Sequence, residues 1–168
     1  MLIRRLDKSE AELFHTFRLH GLQESPASFG ATYEEEASIS AEDVQSRFPC
    51  TEDNFVLGAL NEAGRLIGVA CFFRLEAPKV HHKGMIWGMY VAAEERCQGV
   101  GKALLSGLIE RAKALSGLEQ VILDMVVPNE AARNLYLRRG FEIIALEERA
   151  MKHNGVYYDV EHMVLYLT

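Results

Sequence analysis

Cysteine, proline and tryptophan are all scarce in this chain, at 3, 4 and 1 residues. Cys50, Cys71 and Cys97 are odd in number and far apart, without a C-x-x-C pair or a histidine at zinc-ligand spacing. Free thiols are therefore expected, with neither a disulfide framework nor a metal site. No apolar run approaches the roughly 20 residues that a membrane span requires, so no membrane partner is expected. The opening "MLIRRLDKSE" carries charges at Arg4, Arg5, Asp7 and Lys8 and has no uninterrupted apolar stretch of the secretory kind, which points to a cytoplasmic protein. Basic residues are outnumbered, giving a formal net charge of -6. That balance weighs against a nucleic-acid surface and leaves room for a cationic small partner. There is no internal repeat, low-complexity segment or linker. With 49% of its 168 residues hydrophobic, the chain is read as a single domain over 1–168.

What is present is a mixture of helical and strand patterns. "LIRRL" reads as a first strand, and Asp7 with Glu10 as a capping box opening a helix that runs to about Glu24, where "SPASFG" breaks it. A second helix is expected from Ser40, with Asp43 three residues on. "NFVLGAL" and "RLIGVACFFRLE", joined by "NEAG", form a hairpin pattern. The fourth strand, "GMIWGMYV", is apolar on both sides and reads as central. Simple alternation puts Met85, Trp87 and Met89 on one face, Ile86 and Tyr90 on the other. After Gly99, Val100, Leu104, Leu108, Ala112 and Leu115 recur at helical spacing, and Gly117 closes the helix. "LEQVILDMVV" reads as a strand, "PNEAARNLYLRRG" as a short helix, and "FEIIALEE" and "VYYDVEHMVLYL" as strands, the last after an "HNG" turn.

The stretch "RCQGVGKALL" carries the first chemical signal. The first turn of a helix has unpartnered N–H groups and a partial positive charge, so it can hold an anion. Glycines at 99 and 101 keep side chains away from those amides, and Arg96 and Lys102 stand ready to add charge. The plainer alternative is that Gly99 makes the turn from strand to helix. A Walker A loop is excluded because position 96 is Arg and position 103 is Ala. A dinucleotide fingerprint fails because residue 104 is Leu.

The stretch resembles the acyl-CoA loop of the GCN5-related N-acetyltransferase (GNAT) superfamily, R/Q-x-x-G-x-G/A, through Arg96, Gly99 and Gly101. "VPNEAARNLYLRRGF" is similar to that family's second cofactor motif, with Asn129, Ala132, Leu135, Tyr136, Gly140 and Phe141 in order, and "MKHNGVYYDVEHMVLYL" resembles its closing hairpin. The resemblance implies an α/β (α+β) fold: a mixed, mostly antiparallel, twisted sheet of roughly six to seven strands flanked by about four helices. Strands four and five splay apart to admit acetyl-CoA as acyl donor. It further implies that Met89, Tyr90 and Val91 hold the pantetheine arm, and that Arg96, Cys97, Gln98, Gly99, Val100, Gly101 and Lys102 lie under the pyrophosphate. Asn129 would bond the pantetheine and Tyr136 would protonate the departing thiolate. Cys97 stands where many relatives have a smaller residue, which bears on the loop's shape. The alternatives are a helix cap for Asn129 and a core tyrosine for Tyr136.

The implied reaction is direct attack of a primary amine, from a small molecule or a peptide N-terminus, on the thioester in a ternary complex. An alkylammonium with pKa near 10.4 is neutral in only about one molecule per few thousand at pH 7, so a proton acceptor is needed. The Val91 N–H is the natural donor to the developing oxyanion. The fourth strand has no carboxylate from Gly84 to Val91. Glu24, His81, His82, Asp124 and His153 remain candidates for the base, each also readable as a solvated polar residue, and none is assigned. The resemblance places the acceptor pocket between "ESPASFGATYEEE" and the turn from His153 to Tyr157, with Phe29 and Tyr33 as wall or packing residues. The run Glu34–Glu36 reads more simply as a solvated helix start than as an ammonium site. A homodimer is compatible with the pattern but not required by it. The alternatives from other classes are an acyl-CoA-binding or sensing module without turnover, and a nucleotide-binding signalling domain.

Overall fold

The computed structural model describes residues 1–167. Seven strands form one sheet in the order β1-β2-β3-β4-β5-β7-β6. They are β1 (Leu2–Arg5), β2 (Asn54–Leu60), β3 (Leu66–Arg74), β4 (Lys83–Val91), β5 (Gln120–Val126), β6 (Glu142–His153) and β7 (Val156–Tyr166). The helices are α1 (Ala11–Glu24), α2 (Tyr33–Ala37), α3 (Ala41–Arg47), α4 (Val100–Ala114) and α5 (Glu130–Leu137). All pairings are antiparallel except β4–β5. The expected architecture is thus present, with seven strands and, in place of about four helices, five. Among the described residues no helix is long and apolar enough to cross a membrane.

The local signals mostly resolve as expected. Asp7 and Glu10 form a reciprocal capping box, although the first turn is a 3-10 turn and α1 begins at Ala11. Ser40 caps α3 through its hydroxyl to the Asp43 N–H. Helix α4 buries Leu104, Leu105, Leu108 and Ala112 completely against the sheet. Each such leucine contributes roughly 1.5–3 kcal/mol, so α4 is a fixed platform for the loop before it. The additional helix, α2, is opened by a second capping box between Thr32 and Glu35. The run Glu34–Glu36 is therefore a helix start: Glu35 caps the helix and Glu36 pairs with Arg18 at 3.1 Å.

The alternation expected along β4 is overturned. Val69 pairs with Tyr90 but Cys71 with Trp87, so β4 carries one residue more than β3 across this step. The extra residue forms a bulge at Gly88, whose φ is +59°. A bulge of one residue exchanges faces beyond it. Ile86 and Met89 pack with the α4–α5 core, whereas Trp87 and Tyr90 pack with the α1–α3 core. Met89 therefore does not share a face with Trp87, nor Tyr90 with Ile86. At Gly88 a Cβ would lie 3.1 Å from Arg18 Nη1 and 3.3 Å from Cys71 Sγ, so the backbone conformation and the crowding both select glycine.

Candidate active site

The site begins where β4 and β5 part. Their parallel pairing covers Lys83–Gln120, Gly84–Val121 and Met85–Ile122, and stops there. Beyond Met85, β4 continues to Val91 and β5 to Val126 without a ladder between them. A wedge is left open on the far side of the paired rungs. Ala92 N–H donates to Ile67 O at 3.1 Å. Peptide groups alternate in direction along an antiparallel strand, so those of Val91 turn from β3 toward the wedge. There Val91 O accepts from Arg96 Nε at 3.0 Å.

The loop after β4 meets the wedge at its mouth. Cys97 and Gly99 have φ values of +61° and +83°. Cys97 thus occupies a left-handed conformation that glycine adopts without strain, at a cost of about 1–2 kcal/mol for a residue with a Cβ. Arg96 N–H is already bonded to Ala93 O at 3.3 Å. Among the described residues, the amides of residues 97–102 have no protein acceptor. A Cβ on Gly99 would meet nothing within 4 Å, so the space over these amides is open. The Arg96 side chain does not lie over the loop. Its guanidinium folds back to Val91 O and to Glu24, whose Oε2 it reaches at 3.0 Å. Gln98 is likewise turned aside, to Glu94 O. Val100 is buried in the core, and Lys102 is exposed and has no carboxylate partner among the described residues.

The short helix α5 supplies the other wall. The Tyr136 ring is buried, edge-on to Phe141, and its hydroxyl donates to Met89 Sδ at 3.4 Å across the wedge. Burial pushes this phenol up to about 12, so it keeps its proton at neutral pH. Asn129 is the N-cap of α5: its Oδ1 accepts from Ala132 N–H at 3.2 Å, which realises the cap reading and leaves its amide group uncommitted. A Cβ on Gly101 would lie 3.4–3.8 Å from side-chain atoms of Leu135, Met89 and Val91, so the start of α4, α5 and the end of β4 converge. A cavity of about 520 Å³ opens between the end of β4, the start of α5 and residues 25–29, lined among others by Met89, Tyr90, Val91, Arg96 and Asn129.

Tyr90, turned by the bulge toward α1, belongs to a separate network. Its hydroxyl donates to Glu24 Oε2 and lies 3.2 Å from His20 Nδ1. Burial, and then the bond to Glu24, raises its pKa well above that of a free phenol. Glu24 Oε2 receives both Tyr90 and Arg96, while Oε1 has no hydrogen-bond partner among the described residues. Glu24 is thus held at the wedge mouth with one oxygen free.

The other candidate bases are dispersed. His81 and His82 precede β4 at its paired end, roughly 30 Å along the strand from Val91. Asp124 lies on the sheet face away from α4, bonded to His162 Nδ1 at 2.7 Å, and His162 Nε2 reaches Glu147 at 3.2 Å. His162 was not legible as a partner because its pairing with Asp124 depends on the β5–β7 register. His153 lines a second cavity of about 570 Å³ with Phe29, Tyr33, Glu34 and Lys152. This cavity lies between the expected loop and hairpin, and Phe29 walls both cavities. Tyr157 is instead exposed, under Lys152 and Arg149.

Known proteins share this fold. The chain is 22% identical to an acetyltransferase of the GNAT family from Streptococcus pneumoniae, with a TM-score of 0.87 over 98% of both chains. It is also 22% identical to a phosphinothricin acetyltransferase from Sinorhizobium meliloti solved in complex with AcCoA, with a TM-score of 0.82 over 98% of this chain and 87% of that one. A curated L-methionine sulfoximine/L-methionine sulfone acetyltransferase from Pseudomonas aeruginosa is 30% identical over 112 residues, which cover 67% of this chain and 64% of the relative. Residues 19–141 match the Acetyltransferase (GNAT) family, and the chain belongs to that family.

Proposed function

We propose that the protein is an acetyl-CoA-dependent N-acetyltransferase acting on a primary amine of a small molecule or a peptide N-terminus. The observation that carries this reading is the meeting, in one wedge, of unpartnered amides at residues 97–102 with the buried Tyr136 hydroxyl. The fit is chemical: open amides at a helix start suit a diphosphate, and the cavity lined by Met89 and Val91, beside the parted strands, suits a pantetheine arm. When bound, acetyl-CoA supplies an activated acetyl carbonyl and a thiol leaving group. The Val91 N–H, facing the wedge, donates to the acyl oxygen. Asn129 offers its free amide to the pantetheine. Tyr136 holds a proton at its hydroxyl for the departing sulfur. Glu24, through Oε1, draws the incoming ammonium and receives its proton, directly or through water.

Similar proteins are named for both acceptor classes: the Pseudomonas acetyltransferase for amino-acid derivatives, and a structural neighbour from Brucella melitensis, 21% identical with a TM-score of 0.78, for a ribosomal-protein alanine. A thiol-release assay with acetyl-CoA tests the reading across L-methionine sulfone, other amino acids, polyamines and short peptides. Amine-dependent release supports it. Tight acetyl-CoA binding with no release for any amine would favour the runner-up, an acyl-CoA-binding module without turnover.

A further inference from the structure

Helix α1 carries a glycine, Gly21, in its second half, where glycine costs about 1 kcal/mol relative to alanine. The Tyr90 ring accounts for it: a Cβ at Gly21 would lie 3.0–3.1 Å from three of the ring carbons. That ring reaches α1 because the bulge at Gly88 turns Tyr90 to the α1–α3 face. Phe17 and Phe29 pack around it, with centroid distances of 5.2 and 6.3 Å. Phenylalanine would fill this apolar slot as well as tyrosine does, so packing alone does not explain the hydroxyl. Two departures from regular structure, one in a helix and one in a strand, thus bring a single phenol to the end of α1.

Counting protons at that hydroxyl fixes a direction. An ionised carboxylate only accepts, so the one phenolic proton goes to Glu24 Oε2. His20 Nδ1, 3.2 Å from the same phenolic oxygen, must then donate to it. His20 is exposed, and its Nε2 has no hydrogen-bond partner among the described residues. The donors therefore run one way, from His20 through Tyr90 to Glu24 Oε2. Arg96 adds a second donor to that oxygen at 3.0 Å and lies over the Tyr90 ring, 5.8 Å from its centroid. With Oε2 occupied twice, Oε1 is the oxygen left to take a proton. We propose that His20 and Tyr90 are positioning residues for Glu24: His20, donating from Nδ1, commits the Tyr90 hydroxyl to Oε2 and so keeps Oε1 as the oxygen presented to the incoming ammonium. The proposal rests on the Glu24 role stated above and extends it to two side chains that act through that carboxylate.

Amine-dependent thiol release by substituted proteins tests it. His20→Leu and Tyr90→Phe should each lower kcat/KM for the amine about fivefold, the worth of one hydrogen bond, and leave the Kd for acetyl-CoA within about twofold. His20→Asn, whose amide nitrogen can replace Nδ1 as donor, should restore most of the loss. The double substitution should be no worse than Tyr90→Phe alone, because residues acting in series are not additive. The 15N spectra of the histidine rings at pH 8.5 give a readout independent of turnover: His20 should carry its proton on Nδ1 in the unsubstituted protein and move toward the Nε2 form in Tyr90→Phe. An Nδ1 without a proton in the unsubstituted protein, unchanged turnover in His20→Leu, an asparagine no better than leucine, or losses that multiply in the double substitution would overturn the positioning role while leaving the acetyltransferase reading intact. No amine-dependent release from the unsubstituted chain with any amine would overturn both.

Discussion

The two ends of β4 lie in one strand, yet they differ in almost every physical respect. At the Lys83–Met85 end the strand is paired on both edges, and His82 O accepts the N–H groups of both Glu119 and Gln120, at 2.8 and 3.1 Å. The Phe72 ring lies so close over Gly84 that a Cβ there would sit 2.2 Å from a ring carbon. At the Gly88–Val91 end the β5 ladder is gone, a bulge has turned Met89 to one face and Tyr90 to the other, and the following amides are unpartnered. The N–H groups of a helix's first turn are left to solvent or to an anion. A strand end that leaves them open beside a cavity is therefore where a ligand would complete the bonding, and the paired end is what holds the opening in place.

Substitutions at the two ends should separate these roles. The largest effect is expected at the paired end: Gly84→Ala drives a methyl into the Phe72 ring and should cost about 3 kcal/mol, a fall in Tm of roughly 6–12 °C in thermal denaturation. A Tm unchanged within about 2 °C would show that this end is not tightly packed. At the open end, Tyr136→Phe should reduce kcat about 100-fold and leave the Kd for acetyl-CoA within about twofold. Equal losses in both, or unchanged turnover, would count against the acid role. Glu24→Gln should lower kcat/KM for the amine about tenfold, with a smaller change in acetyl-CoA affinity. If acetyl-CoA binding alone suffers, Glu24 acts only through Arg96.

The smallest effect concerns neither end. The pKa of His162 is raised, first by its bond to Asp124, against the opposing effect of burial, with Glu147 adding to the rise. A histidine whose folded value exceeds its unfolded value of ~6.5 stabilises the fold fully below that value. The contribution is lost as pH rises through the folded value. His162→Gln should therefore cost more stability at pH 5.5 than at pH 8.5, by less than about 1 kcal/mol for so exposed a pair. Denaturant melts at the two values measure the difference, and an equal cost at both would remove the ion-pair account.

The features legible in the sequence were those with local causes. Capping residues at Asp7 and Ser40, the apolar stripe of α4 and the glycines around Val100 each act within a few residues, and each stands where it was expected. The second capping box, Thr32 with Glu35, was equally local and would have marked α2. The bulge was hidden because "GMIWGMYV" has no polar residue to label a face, so an inserted residue leaves the pattern unchanged. Gly88 in mid-strand was its one visible sign. The direction of the Arg96 guanidinium, the Glu24–Tyr90 bond and the Asp124–His162 pair all join residues distant in sequence through strand register and helix packing. No periodicity encodes them.

The central claim is that the open amides of residues 97–102, beside the parted end of β4, receive acetyl-CoA. Titrating the 15N-labelled protein with acetyl-CoA while following its amide resonances tests this residue by residue. The largest shifts are expected at residues 97–102 and at Met89–Val91, with the amides of Lys83–Met85 nearly still. Saturable binding that leaves residues 97–102 unmoved would contradict the account.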